Sequence, residues 1–456
     1  MSQSNGGVFI TTYGCQMNVN DSERMFSLLE MVDYHPVDTP EEANLIIINS
    51  CSVREKPVHK VHSEVGRYRS LKAQNPKLRI GVGGCVAQQE KTKLLKDIPL
   101  LDFVFGTDAI DELPKLVLEA QGTKESLSNT RFQHNQPYQI ETMIRNPGVS
   151  TFVNITKGCD NFCTFCVVPF TRGRERSRKL SELIQDIHNL VKRGVKEVTL
   201  LGQNVNSYKS ECGADFGQLL KTVATETDIQ RIRYTTSHPK DFNQDLVEIS
   251  QQYRDKICDY IHLPVQCGNS EVLERMNRGY TREDYLYKVE MIKKAIPGVA
   301  LSTDIIVGFP GETEEQFLDT LSLIKEVGYD GIYAFKYSPR PFTKAARWTD
   351  HLSEDEKSER LERVFALQRP IALGLSQECI GQTYEILVEE VLEDGLAVGR
   401  NSQNRKTLFR DPNAKAGELA FVKINKARPS LLQGERVASE LSFTSNASPC
   451  FEAIAP

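Results

Sequence analysis

Three cysteines crowd into the stretch KGCDNFCTFCVVPFTRGRERSR, residues 157–178, where Cys159, Cys163 and Cys166 follow the spacing C-x3-C-x2-C. The loop follows an apolar-polar alternation over 151–156 that reads as a strand, so the three thiolates converge in one tight turn of chain. Three clustered thiolates with no fourth Cys or His beside them suit a cubane iron-sulfur cluster, with three irons held by the protein and the fourth open to a ligand. A zinc loop is the alternative. Structural zinc, however, usually draws paired ligands from two separate knuckles and closes all four positions.

A second set is spread more widely. Cys15, Cys51 and Cys85 each stand just past a short apolar run, at 8–12, 45–48 and 78–82. Helical patterns follow at 21–31 and 53–71, the latter with Pro57 tolerable in its first turn. A further strand at 103–105 and a helix at 111–120 complete an alternation that implies a parallel sheet covered by helices, whose ligands bind beyond the carboxyl ends of the strands. Three successive strand-helix units thus bring one thiol each to the same sheet edge. The competing reading is three core cysteines, because unoxidised Cys is among the most buried residue types. Gly83 and Gly84 are expected to let the backbone approach a bulky ligand, with Asn18 and Asn49 supporting the site from behind.

The chain has 456 residues, 39% hydrophobic and 26% charged, enough for two to four domains with sizeable cores. No uninterrupted apolar run approaches the roughly 20 residues that cross a bilayer. The start, MSQSNGG, has neither a basic region nor an apolar signal core, and the expected location is the cytoplasm. Eleven cysteines, several in ligand-like loops, argue against a secreted disulfide framework. A net charge of -5 does not advertise nucleic-acid binding, which must rest on local basic patches.

Residues 121–150 are polar, carry two prolines and lack periodicity, as a linker would. Strands are then expected at 151–156, 196–201, 232–236, 260–265, 300–307 and 331–337, separated by helices. Six such units fit an incomplete barrel with its chemistry on the loops after the strands. Those loops are the cysteine loop, Gly202-Gln203-Asn204, Ser237-His238-Pro239, Gln266-Cys267-Gly268 and residues 308–312. Beyond 353 a charged helical stretch leads to short alternating strands over 384–437, with turns at Asp394-Gly395 and Ala416-Gly417, which suggest a small β-barrel.

A C-x3-C-x2-C loop after the first strand of a six-unit barrel resembles the radical S-adenosylmethionine superfamily. Together with Cys15, Cys51 and Cys85, and with YGCQMN, CTFCVVPFTRGRE, RYTTSHP, HLPVQ, YTREDY and YSPRP, the chain resembles the methylthiotransferase family within it. The sequence departs from that pattern at Cys267, where Ser is usual, and at Phe342, where Gly is usual. The resemblance implies an α/β protein of three domains: an N-terminal doubly wound parallel-sheet domain (6–122), a central incomplete (β/α)6 radical-SAM barrel (145–376) after a linker (123–144), and a small all-β TRAM barrel (377–441), an RNA-binding unit, before a tail (442–456).

It further implies two 4Fe-4S clusters with three Cys ligands each. The one on Cys159, Cys163 and Cys166 would hold S-adenosylmethionine and reduce it to a 5'-deoxyadenosyl radical, and the one on Cys15, Cys51 and Cys85 would carry the sulfur. Phe165, Gln203, Asp304 and Gly308 are candidates for holding the cosubstrate. The implied substrate is a tRNA carrying N6-dimethylallyladenosine in its anticodon loop, with flavodoxin or ferredoxin as electron donor, a monomeric enzyme and no membrane. RNA contacts are expected from Arg172, Arg174 and Arg176, beside Arg178 and Lys179, and from Arg400, Arg405, Lys406 and Arg410 in the last barrel. A threonylcarbamoyladenosine tRNA or a ribosomal-protein aspartate is the alternative substrate. A zinc-containing RNA-binding protein is the non-enzyme alternative.

Overall fold

The computed structural model describes residues 5–52, 57–132, 138 and 142–438. The expected tail with Cys450, the start of the 53–71 helix and part of the expected linker lie outside them. The chain divides after Leu375 into two compact units.

The first unit opens with a six-stranded parallel sheet: β1 (Gly6–Tyr13), β2 (Tyr34–Pro36), β3 (Ala43–Ser50), β4 (Arg79–Gly84), β5 (Phe103–Phe105) and β6 (Leu127–Asn129), in the order β2-β1-β3-β4-β5-β6. Around it run α1 (Gln16–Glu30), α2 (Pro57–Arg67), α3 (Arg69–Gln74), α4 (Cys85–Glu90), α5 (Thr92–Asp97) and α6 (Leu113–Gly122). The continuous apolar run of β3 is explained by burial on both faces, where Leu45 and Ile47 join one core and Ile46 and Ile48 the other. The short β2 and β6 carry too little pattern to be read in advance. Pairing of β6 with β5 extends the sheet into residues 123–129, so the linker begins later than expected.

Six further parallel strands make the barrel: β7 (Ser150–Asn154), then β10 (Glu197–Leu201), β11 (Arg231–Tyr234), β12 (Tyr260–His262), β13 (Ala300–Val307) and β14 (Gly331–Lys336). Between β7 and β10 the two-residue strands β8 (Thr156–Lys157) and β9 (Arg176–Ser177) pair antiparallel. Hydrogen-bonded ladders join β11-β10-β7 and β12-β13-β14, and an Ile232–Ile257 bridge links the two halves. The helices α7 (Val168–Thr171), α8 (Leu180–Lys192), α9 (Phe216–Glu226), α10 (Gln244–Gln252), α11 (Ser270–Arg275), α12 (Arg282–Ala295), α13 (Glu314–Val327) and α14 (Glu354–Gln377) complete the layer. Capping boxes at Asp215, Thr281 and Thr313 fix where α9, α12 and α13 begin, each satisfying backbone N–H groups that the first turn leaves unpaired.

The second unit is a closed five-stranded barrel, β15 (Thr383–Val391), β16 (Leu396–Arg400), β17 (Lys406–Arg410), β18 (Leu419–Arg428) and β19 (Leu431–Arg436), in the order β15-β16-β17-β19-β18. Alternate residues Ile386, Val388, Val422 and Ile424 fill it together with Phe409 and Leu432. Closure leaves no unpaired strand edge.

Candidate active site

The N-terminal sheet reverses its strand order between β1 and β3, the place where open α/β sheets leave a crevice for ligands. Tyr13, Ser50 and Gly84 are register partners across β1, β3 and β4. The next residues of β3 and β4 are Cys51 and Cys85, and Cys15 comes two after Tyr13, so the ladder itself aligns the thiols. Side-chain hydrogen bonds link Cys51 to both Cys15 and Cys85. Gly14 is required here, because a Cβ on it would lie 2.7 Å from the Cys51 Cβ and 2.4 Å from Asn18 Oδ1. Gly83 and Gly84 serve a different purpose from the one expected. Their open sides are filled by the Phe105 ring and the Asn49 carboxamide, so they admit neighbouring protein rather than a ligand.

Behind the thiols the Cys15 thiol donates to Asn18 Oδ1 at 3.4 Å, Asn18 Nδ2 donates to Asn49 Oδ1 at 3.1 Å, and Asn49 Nδ2 donates to the Asn18 carbonyl at 2.8 Å and Ser22 Oγ at 2.9 Å. Hydrogen bonding from Cys51 brings Cys15 down to about 5 and Cys85 to about 6, helped in both by the nearby Arg172 guanidinium. Cys51, as the shared donor, is pushed far up. Cys15 and Cys85 are thus favoured as thiolates, the form that binds iron, while Cys51 keeps the proton it would have to give up on binding metal.

The barrel triad sits in an excursion of chain pinned at its base by the β8–β9 ladder. Gly158 starts it with φ +83, and a Cβ there would lie 2.2 Å from the Arg174 carbonyl oxygen. The Gly158 N–H donates to Gln203 Oε1 at 2.5 Å, and the Cys159 N–H to the Gly173 carbonyl at 3.3 Å. Two donors address the sulfurs: Asn161 Nδ2 reaches Cys159 Sγ at 3.5 Å and Arg278 Nη1 reaches Cys163 Sγ at 3.3 Å. Arg278 is buried and held by the Pro264 carbonyl and Tyr280 Oη, at 2.8 and 2.9 Å. Burial pushes Cys159 up to about 11 and Cys166 up to about 12.

Among the described residues no three His, Cys, Asp or Glu side chains close on one point as the ligands of a single ion would. A cubane places each cysteine on a different iron, and the donors aimed at these sulfurs suit its negative charge. Both triads thus fit such a group.

Of the residues expected to hold the cosubstrate, Phe165 is half-buried beside Phe309, with ring centroids 6.4 Å apart. Gln203 braces the cysteine loop. Asp304 lies 3.5 Å from His262 Nε2, and the Gly308 N–H donates to the buried Glu312 carboxylate at 2.7 Å. Cys267 is fully buried, near Thr320 Oγ1 at 3.4 Å, and belongs to packing. Phe342, the departure in the last loop, does adopt positive φ, at 72°, with its ring against Phe170.

The expected basic stripe is corrected by burial. Arg172 is 3% exposed and donates to Asp21 Oδ2 at 2.8 Å, so it cannot face an RNA backbone. Arg178 is buried too, donating to Asp186 at 2.7 Å, and Arg176 pairs with the buried Asp108 at 2.6 Å. Arg174 stays exposed, paired with Asp160 and over the Phe162 ring. In the small barrel, Arg400 pairs with Glu389 and Arg410 with Asp394, each at 3.3 Å, acids absent from the 400–410 segment itself. Arg405 Nη1 lies 2.7 Å from Cys379 Sγ, and Lys406 is exposed.

Sequence reasoning missed Arg278 and the true place of Arg172, since nothing in local sequence distinguishes a buried arginine from a solvated one. It also missed the seam between sheet and barrel. There Lys157 Nζ pairs with Asp108 and donates to the Thr107 carbonyl at 2.7 Å, Thr107 Oγ1 donates to the Thr171 carbonyl at 2.7 Å, and Asn154 Nδ2 donates to Asn20 Oδ1 at 2.6 Å. Helix α7, just past Cys166, packs on α4, which Cys85 opens. One continuous stretch of chain therefore touches both triads.

Comparison with known families matches residues 153–324 to the Radical SAM superfamily, 7–106 to the uncharacterized protein family UPF0004, and 377–437 to the TRAM domain. A tRNA-2-methylthio-N(6)-dimethylallyladenosine synthase of Bdellovibrio bacteriovorus is 60% identical over 94% of this chain and 95% of its own length. The chain belongs to that synthase family. Its counterpart in a Sulfurihydrogenibium species is 44% identical over 95% of this chain and 99% of its own. Among solved structures, the radical S-adenosylmethionine methyltransferase TsrM of Kitasatospora setae, with cobalamin and a 4Fe-4S cluster bound, aligns with a TM-score of 0.55 at 13% identity, covering 87% of this chain and 81% of its own. That likeness is one of fold. The chain is a radical S-adenosylmethionine methylthiotransferase, and its superfamily implies a 4Fe-4S cluster and S-adenosylmethionine. No helix among the described residues is long and apolar enough to cross a membrane.

Proposed function

We propose that this protein converts N6-dimethylallyladenosine in the anticodon loop of tRNA to its 2-methylthio derivative, with Cys159, Cys163 and Cys166 holding one 4Fe-4S cluster and Cys15, Cys51 and Cys85 a second. The observation that carries the reading is the joining of the two thiol triads by α7 and Arg172 within one compact unit. Carbon 2 of adenine bears an unactivated hydrogen, and a bound cluster with S-adenosylmethionine supplies the radical chemistry that acid-base groups cannot.

The chain's own residues supply placement. Gly158 and Gln203 set the path of the barrel loop, and Arg278 and Asn161 donate toward its sulfurs. Phe165 on the cysteine loop, Asp304 within β13 and Gly308 just past its end are where the cosubstrate would lie. Cys51 and Cys85 are buried while Cys15 is exposed, so the triad is covered on one side and open on the other. A single-stranded loop presents an adenine that can leave its stack at little cost, and Arg174, Lys406 and Arg410 are exposed cations able to meet phosphate. An external one-electron donor such as flavodoxin or ferredoxin and a monomeric state complete the proposal.

The test incubates reduced, cluster-reconstituted protein with S-adenosylmethionine and tRNA carrying N6-dimethylallyladenosine, then digests the RNA and separates its nucleosides. The 2-methylthio nucleoside is expected. Product only with threonylcarbamoyladenosine tRNA, or only with a ribosomal protein, would replace this substrate by another.

A further inference from the structure

Arg172 belongs to the barrel's cysteine loop by sequence, six residues past Cys166, yet its side chain reaches Asp21 on helix α1 of the N-terminal sheet layer. It is 3% exposed, and α7, which it directly follows, packs on α4, the helix that Cys85 opens. One guanidinium nitrogen, Nη2, donates to Asp21 Oδ2 at 2.8 Å on helix α1, which Cys15 opens. The other, Nη1, is buried with no hydrogen-bond partner. An unpaired N–H of a buried cation forfeits a charged hydrogen bond, so such an atom calls for an explanation. Asp21 balances the cation only in part against three converging thiols that turn anionic when metal binds.

Resting on the proposed second cluster, we propose that Arg172 is a positioning residue for it: its unpaired Nη1 donates to a sulfur of the cluster bound by Cys15, Cys51 and Cys85. The barrel loop thereby closes the N-terminal site. Thr171, the preceding residue, accepts from Thr107 Oγ1 through its carbonyl, which anchors this donor to the N-terminal sheet independently of the barrel cysteines.

The test uses the full chain carrying Cys159→Ala, Cys163→Ala and Cys166→Ala, so that only the N-terminal cluster is loaded. Iron release to a chelator and the midpoint potential by EPR-monitored titration are compared with Arg172→Met, Arg172→Lys and Asp21→Asn added singly. Arg172→Met is expected to release iron about 10- to 100-fold faster, the usual cost of losing a partner of a metal ligand, and to be harder to reduce. Lys should restore part of both, and Asp21→Asn should give a smaller loss in the same direction. The potential is the readout a merely structural arginine would not move. If the parent holds no iron, the second-cluster reading is what fails. If the parent holds iron, and Arg172→Met, or Asp21→Asn where the former does not fold, keeps the parent's release rate and potential, the assignment of Arg172 is overturned.

Discussion

Gly158→Ala is the sharpest perturbation of the barrel site because two separate penalties can be read from one position. An L-residue at φ +83 costs about 1–2 kcal/mol relative to glycine. The new Cβ would also sit 2.2 Å from the Arg174 carbonyl oxygen and 2.6 Å from the Gly173 oxygen, where ordinary contact begins at 3.4 Å. Those carbonyls cannot simply retreat, since Gly173 accepts from the Cys159 N–H and the β8–β9 ladder clamps the base of the loop. Overpacking of this kind adds about 1–3 kcal/mol, for a total of about 2–5 kcal/mol. More telling than the energy is the displacement: a movement of about 1 Å exceeds by several-fold the roughly 0.2 Å tolerance on metal-ligand distances. With both proposed clusters loaded, Gly158→Ala should therefore lose about half of the iron and sulfide and nearly all 5'-deoxyadenosine formation. Gly194→Ala is the control, with φ +94 but nothing within 4 Å of the added carbon. It has the conformational penalty without the clash and should keep both clusters. A Gly158→Ala protein with full iron content and wild-type cleavage of S-adenosylmethionine would refute the claim that this turn sets the cluster loop.

Protein with Cys15, Cys51 and Cys85 all changed to Ala should keep about half the iron and still form 5'-deoxyadenosine while making no methylthio nucleoside; wild-type product from it would remove those cysteines from the chemistry. In that background Arg278→Met should lower the midpoint potential of the remaining cluster, because an N–H donor and a positive charge 3.3 Å from Cys163 Sγ are lost, and Arg278→Lys should lower it less; equal potentials would disprove the contact. His238 is held neutral, its pKa lowered from 6.5 to about 2 by burial and then by Arg278, Lys240 and Lys288. A group with a depressed folded pKa of this kind favours the unfolded chain as it gains its proton, so thermal stability should fall as pH drops below about 6.5, and less steeply in His238→Gln; identical slopes would count against this assignment. Lys406→Ala with Arg410→Ala should flatten the salt dependence of tRNA binding by about two phosphate contacts and leave RNA-independent cleavage unchanged, and an unaltered slope would place the RNA elsewhere.

The two cysteine triads and the alternation of strand and helix were legible in the sequence for physical reasons. Cluster ligands within one loop must keep a short fixed spacing, and a buried parallel strand such as residues 45–48 must be apolar on both faces. The position of Cys15, Cys51 and Cys85 at strand ends followed from the same pattern, since parallel strands put their carboxyl ends on one edge. Short elements were not legible. Strands β2 and β6 hold three residues each and owe their existence to a neighbouring edge that needs pairing. Nor could sequence decide the fate of charges. Arg172, Arg174, Arg176 and Arg178 follow one another along one loop as a basic stripe would, but the chain passes between sheet and barrel there, and Arg172 turns inward to the distant Asp21 on α1 while Arg178 turns inward to Asp186 on the next helix, α8. The sequence by itself determined where two sets of three thiols stand and that strand ends or one short loop would gather each set. Only the tertiary structure decided which cations stand beside them, because a buried guanidinium is stable only where folding brings it acceptors: the Asp21 carboxylate for Arg172, and the Pro264 carbonyl and Tyr280 hydroxyl for Arg278.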